Sequence, residues 1–410
     1  MFLKKLALAG AMTVLTGTTA IAGCGLSAGN VNILGNDFAA IQAVVAGAKE
    51  CAGGGVSVEA NLTTEHRDLQ VAALTANPAQ YTSAIVANSS IVPLLNDGLI
   101  RPLDDLIAKH GSSLGRNQLI TIDGKVMAVA FMANAQHLFY RSDILEKAGV
   151  DAPTNYDEVV AAAEKIKSMG LMEHPLVINT KTGWNLGEEF VNMYMGTGAD
   201  FFKAGTAEVT INNEHGVATL NMLKKLTEHA NPDFLTFDSN ATAAIWEGGQ
   251  AALGIMWGSR GGPILDAEGS TEEITSATVL TGAPTFMGDN VASTLWWDGF
   301  TISANISDEN AEATFVALVN GVRDDVIKAN NDAAVWLSSA YVPTKASAGV
   351  SATAMSGASP YPMLPYMGLL HTALGAEITE FLQGSENAEQ ALADVEAAYT
   401  TAAKEQGYLQ

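Results

Sequence analysis

Two periodicities alternate along the chain. Short apolar or alternating runs at 31–34, 56–62, 82–87, 126–131, 137–140, 176–179, 252–257 and 300–304 are bounded by Gly, Pro, Asn or Asp and predict β-strands. Between them the apolar spacing turns helical. Within 37–50, Phe38, Ile41, Val44, Val45 and Ala48 share one face. After Pro153, Thr154 is the expected cap and Asp157 sits near the positive end of a helix that carries Tyr156, Val159, Val160, Ala163 and Ile166 and stops at Gly170. Ser307-Asp308-Glu309 opens another, with Ala311, Phe315, Leu318, Val319 and Val322 on its buried side. The stretch 346–359 is rich in Ala, Ser and Gly, lacks a period, precedes Pro360, Pro362 and Pro365, and is predicted as a loop. Strands interleaved with helices predict an α/β fold.

At 410 residues the chain is long enough for two lobes, each with its own core. Its formal charge of −23 repels a phosphate backbone, so nucleic acid is excluded as a partner. Lys4 and Lys5 precede an apolar run ending in Ala20-Ile21-Ala22, which predicts a secretory signal peptide over residues 1–22 and a periplasmic destination. Cys24 and Cys51 support two readings. Ile21-Ala22-Gly23-Cys24 resembles a lipobox, which would make Cys24 a lipid anchor. Alternatively, the 37–50 helix runs back beside the first strand and brings Cys51 to Cys24 for a disulfide.

Several chemistries lack their residues. The seven histidines are scattered with no metal-ligand spacing. Around Ser259 a Trp stands where the first Gly of a nucleophile elbow is needed, and no Gly-rich loop has the spacing of a nucleotide site. Glu188 and Glu189 lie about 100° apart on a helix and cannot bracket one glycosidic bond; they read as the charged start of a helix, at least one of them solvated. No cofactor, metal site or catalytic residue is expected.

Three segments carry a resemblance. Ile122-Asp123-Gly124-Lys125-Val126-Met127-Ala128-Val129-Ala130-Phe131, then Leu138 to Val150, then Pro153-Thr154-Asn155-Tyr156-Asp157-Glu158, together resemble the carbohydrate-type (family 1) extracellular solute-binding proteins of ABC transporters. Asn96 to Asp105, Gln250 to Gly258 and Tyr341-Val342-Pro343-Thr344-Lys345 resemble further segments of that family. The chain departs from the pattern at Phe131, where Pro is common, and at Arg141, where Asn is common.

The resemblance implies a bilobal periplasmic-binding-protein-like clamp, crossed by the chain about three times: residues 23–132 and 289–342 in one lobe, 133–288 and 343–410 in the other, with hinges near 130–135, 282–288 and 341–345. It also implies a monomer that captures a small solute, most simply a sugar, and delivers it to the membrane permease subunits of an ABC importer. A secreted carbohydrate-active hydrolase is the alternative, and a sensor that feeds a receptor is a third reading. In such a clamp the loops after strands of both lobes face the cleft. Asn36 and Asp37 follow the first strand, Glu65 and His66 the second, Asn88 and Ser89 the third; each reads either as a helix cap or as a partner for sugar hydroxyls. Trp184, expected in a loop, offers a buried ring or a stacking face. Trp257 with Arg260 pairs a ring with a planar donor at a strand end, and Trp297 with Asp298 is the expected equivalent in Trp296-Trp297-Asp298-Gly299.

Overall fold

The computed structural model describes residues 24–266 and 268–410; the expected signal peptide lies outside the described residues. β1 (Gly29–Gly35), β2 (Val56–Leu62), β3 (Ser83–Ala87), β4 (Leu119–Ile122) and β5 (Lys125–Asn134) begin one sheet. β6 (Gln136–Arg141), β7 (Leu176–Ile178), β8 (Leu253–Trp257) and β9 (Thr278–Thr281) form a second, and β10 (Thr294–Phe300), β11 (Val335–Trp336) and β12 (Ser359–Pro360) return to the first. The first sheet runs β11-β5-β10-β3-β1-β2 with β4 on β5 and β12 on β10; the second runs β7-β8-β6-β9. β1 is parallel to β2 and β3, as right-handed crossovers through helices require, while β10 runs antiparallel between β3 and β5.

The sheets exchange the chain at three places. β5 gives way to β6 at Ala135, two residues beyond the expected boundary, the second passage lies between Thr281 and Thr294, and the third between Trp336 and the Ala348–Met355 helix. β12 adds a further contact, because Ser359 and Pro360 pair with Thr294 and Leu295 of β10. Each sheet has its own core: Val31, Ile33, Val44, Phe131, Phe300 and Phe315 in one, Leu138, Phe190, Tyr194, Ile255, Leu374 and Tyr399 in the other.

Local chemistry departs from expectation in two places. The 156–168 helix is capped by Asn155, whose side chain accepts from the Glu158 N–H, while the Glu158 carboxylate receives the Thr154 N–H and hydroxyl at 2.8 Å. The capping pair is therefore one residue downstream of the expected Thr154 and Asp157. Residues 348–355 are a helix, not a loop. Its small residues sit against β6 and β9, and Gly349 approaches the His137 ring so closely that an added Cβ would collide with it. Burial by close approach needs no apolar stripe, which is why no period marked it. Cys24 and Cys51 are joined as a disulfide, with Cα atoms 4.9 Å apart, where the Ala39–Lys49 helix returns to the start of β1.

Candidate functional site

A cavity of about 460 Å³ opens between the two sheets, within the range of small-molecule sites. The first sheet contributes Asn36 and Phe38 after β1, Thr64 to Asp68 after β2, Ala87 at the end of β3, Asn134 at the end of β5, and Trp296 and Asp298 of β10. Facing them are Lys181 to Asn185 after β7, Asp238 to Asn240, Trp257, Ser259 and Arg260 at the end of β8, and His371 with Thr372. The carboxyl ends of parallel strands thus supply most of both walls. A second chamber of about 300 Å³ shares Arg67, Asp68, Trp184, His371 and Thr372 with the first.

Three tryptophans form the aromatic floor. Trp184 lies 6.2 Å from Trp257 with nearly parallel planes and 5.5 Å from Trp296 edge to face, and Trp257 meets Trp296 edge to face at 5.7 Å. The Trp184 backbone is fixed twice over. It begins the Trp184–Gly196 helix behind Gly183, whose φ of 99° favours glycine, and its carbonyl accepts from His371 Nε2 at 2.8 Å. Trp184 is therefore the first residue of a helix and not part of a loop. His371 Nδ1 in turn lies 2.9 Å from the Tyr361 hydroxyl, and burial lowers the imidazole to about 4, which keeps it neutral.

The polar groups fall into two sets. Arg67 stands 3.7 Å from the centre of the Trp184 ring, and Arg260 lies 5.2 Å from the Phe38 ring. Burial draws Arg260 down to about 10 against the opposing pull of Asp238, Asp298 and Asp37, and lowers Arg67 against the pull of Asp298. Asp298 is pushed up to about 6 by burial, although both arginines favour its ionised form. Lys181 and Asp238 at the edge are paired at 3.4 Å.

Below this floor the second set ties the lobes together. Glu188 and Glu189 are both buried, which overturns the expected solvated helix start. Thr294 Oγ1 lies 2.9 Å from Glu188 Oε1, Trp296 Nε1 lies 3.1 Å from the same oxygen, and Asn192 Oδ1 accepts from Thr294 N at 2.8 Å. Gln136 Nε2 donates to Glu189 at 2.9 Å, and Ser293 Oγ donates to the Gln136 carbonyl at 2.8 Å. Burial raises both carboxyls to about 8 despite these bonds. Nearby, Asn134 bridges from β5 to the end of β8, its Oδ1 accepting from Ser259 N at 3.1 Å.

Of the residues singled out in the sequence, Asn36, Glu65, His66, Trp184, Trp257, Arg260 and Asp298 line the cavity. Asp37 does not; its carboxylate accepts from Gln42 Nε2 at 2.7 Å and caps no helix N–H. Asn88 is fully buried, with Nδ2 donating to the Leu295 carbonyl at 3.0 Å and so tying the end of β3 to β10. Trp297 packs against the satellite core of Leu94, Ile100 and Ala128, and Trp296 faces the cleft instead. Strand alternation puts Trp296 and Asp298, two apart, on one side, so choosing Asp298 already implied Trp296. Arg67 was missed. Its signal was a cation in the first turn of the His66–Thr75 helix, where the positive end of the dipole disfavours it. Among the described residues no cluster of three or more potential metal ligands occurs, and no helix is long and apolar enough to cross a membrane.

The family model of bacterial extracellular solute-binding proteins matches residues 34–320. A probable ABC transporter-binding protein of Deinococcus radiodurans is 24% identical over 50% of this chain, and the match spans about half of that protein, 49% of its length. The maltose-bound MalE3 of T. maritima shares the fold at 19% identity, with a TM-score of 0.79 over 92% of this chain and 100% of the other. A ribitol-bound ABC transporter solute-binding protein of Agrobacterium radiobacter K84 does so at 19% identity, with a TM-score of 0.79 over 92% of this chain and 99% of the other.

Proposed function

We propose that this chain, which belongs to the bacterial extracellular solute-binding proteins, captures a sugar or sugar derivative between its lobes and hands it to the permease subunits of an ABC importer. The observation that carries this reading is the cavity itself: three tryptophan rings beside Asn36, Ser259, Arg260 and Asp298 offer apolar faces to C–H surfaces and a mixed set of donors and acceptors to hydroxyls. The maltose and ribitol held by proteins of the same fold support it.

The chain acts by binding alone, as a monomer outside the cytoplasm, without catalysis. Its lobes turn about Ala135 and the two later passages, and the ligand, by touching both, favours the closed form. A thermal-shift screen against mono- and oligosaccharides tests the reading. A bound sugar at about 100 times its Kd adds roughly 2.7 kcal/mol, and small-angle scattering shows a smaller radius of gyration with that sugar present. If no sugar in a broad panel shifts the melting temperature, the cavity serves another solute.

A further inference from the structure

The arginines of the cleft differ from three of the other four in the chain, the fourth, Arg116, being exposed to solvent. Arg101 holds Asp308 at 2.8 Å, Arg141 holds Asp143 at 2.8 Å, and Arg323 holds Glu50 at 2.7 Å. Arg67 and Arg260 form no ion pair within 4.0 Å of a carboxylate among the described residues, although the chain carries 44 Asp and Glu. Arg67 donates no hydrogen bond to a described residue, and its Nε is buried without a partner. Arg260 is 7% exposed; its Nη1 reaches only Ser259 Oγ at 3.3 Å, and its Nε also lacks a partner. A buried guanidinium N–H left without a partner is costly, so the two Nε donors kept in this state on a cavity wall are matched to something that enters.

The balance of charge says what enters. Asp298 is the one acid felt by both arginines; Arg260 also feels Asp238 and Asp37, and Arg67 feels Asp68 and a Glu188 that burial raises to about 8, but none of them forms an ion pair with either guanidinium. His66 and His371 are kept neutral by burial, Lys181 is paired with Asp238, and Glu65 and Asp68 are exposed at the rim, where water screens them. Arg67 also stands in the first turn of the ten-residue His66–Thr75 helix, whose dipole favours an anion in front of it.

We propose that the ligand carries an anionic oxygen group, the carboxylate of a sugar acid or the phosphate of a phosphorylated sugar, and that Arg67 and Arg260 are the donors that receive it. The inference rests on the reading of the cavity as a sugar site and narrows its substrate class. Planar guanidinium forks suit two oxygens of one anion, while the tryptophan floor holds the ring.

Calorimetry on the full mature chain tests it with matched sets: glucose and galactose, each with its uronate, aldonate and 6-phosphate, and α-1,4-galactobiose beside digalacturonate. The expected result is at least one acidic compound bound about tenfold or more tighter than its neutral parent, the uronate and phosphate arms deciding which anion is meant. In Arg67→Gln and Arg260→Gln the acidic compound loses more affinity than its neutral parent does, so that the preference falls to within about threefold. Neutral sugars bound as tightly as their acidic counterparts overturn the inference and leave the sugar reading standing. If no compound of either kind binds, both fall together. Should a glutamine variant fail to fold, Arg67→Lys and Arg260→Lys keep the charge and lose the fork, and an unchanged acidic preference in both overturns the role of the fork.

Discussion

Two buried polar regions lie against each other, and they are built for opposite ends. In the junction, Thr294 bonds across the lobes to Glu188 and Asn192, and beside them Gln136 bonds to Glu189. On the cleft wall, Arg67 and Arg260 have almost no protein partners, and Asp298 answers to both. The first region holds two strands to one helix, with Gln136 Oε1, Glu188 Oε2 and Asn192 Nδ2 left unpartnered. The second leaves its donors facing the cavity. Trp296 belongs to both, because its Nε1 bonds in the junction while its ring closes the cavity floor. The contrast separates residues whose loss weakens the protein from residues whose loss weakens binding.

The largest effect should follow Trp296→Ala, which removes a buried ring and leaves Glu188 Oε1 short of a donor. Denaturant unfolding of the empty protein is expected to show a loss of about 3–5 kcal/mol. A loss below about 1 kcal/mol would mean that the junction does not depend on that ring. Arg260→Met should do the reverse. The affinity for the ligand drops by about 2 kcal/mol, roughly 30-fold, while the empty protein keeps or gains stability because a buried, poorly paired charge is gone. Titration calorimetry and unfolding on the one variant read both numbers, and a strong loss of stability with affinity intact would move Arg260 into the scaffold.

The α/β class was legible because both periodicities survive in the sequence, and Trp257 with Arg260 was legible because a strand end followed by Gly points into a cleft. The errors have separate causes. The Ala348–Met355 helix buries Gly349 and Thr353 by contact too close for larger side chains, leaving no apolar stripe to detect. Glu188 and Glu189 do point in different directions, but the Trp184–Gly196 helix is buried on nearly every side, so both directions lead inward. Arg67 lies one residue beyond Glu65 and His66, inside a helical turn. Asn88 sits at a strand end as expected, yet its Nδ2 is taken by the carbonyl of Leu295 on the neighbouring strand. Position along the chain locates the cleft, but which groups remain unpaired there is decided by contacts between segments far apart in sequence.

The junction also has a pH signature. Glu188 is raised from an ordinary 4.5 to about 8 chiefly by burial, so between those values the folded chain holds a proton that the unfolded chain has released. Stability therefore falls as pH rises through this window, by at most about 1.4 kcal/mol per pH unit for one carboxyl. Glu189 acts in the same direction. Glu188→Gln preserves the shape without the titration, so its unfolding free energy should decline less steeply between about pH 5 and 8 than that of the parent. Parallel pH profiles for the two proteins would show that Glu188 stays ionised.

The smallest effect is the sharpest test of which tryptophan faces the ligand. Trp297 is half-buried on the far side of β10, against Leu94 and Ile100, while Trp296 lines the cleft. Trp297→Phe keeps an apolar ring in that satellite core and should cost less than about 1.5 kcal/mol of stability. Because no atom of Trp297 reaches the cavity wall, ligand affinity should stay within about twofold, under roughly 0.4 kcal/mol. The register supports this: Trp296 and Trp297 pair with Asn134 and Ala133 of β5, and the irregularity in β10 falls only after Asp298, so alternation is intact across all three residues. An affinity loss of tenfold in Trp297→Phe, with stability unchanged, would mean that β10 presents its other face to the ligand and that the floor of the site has been assigned to the wrong ring.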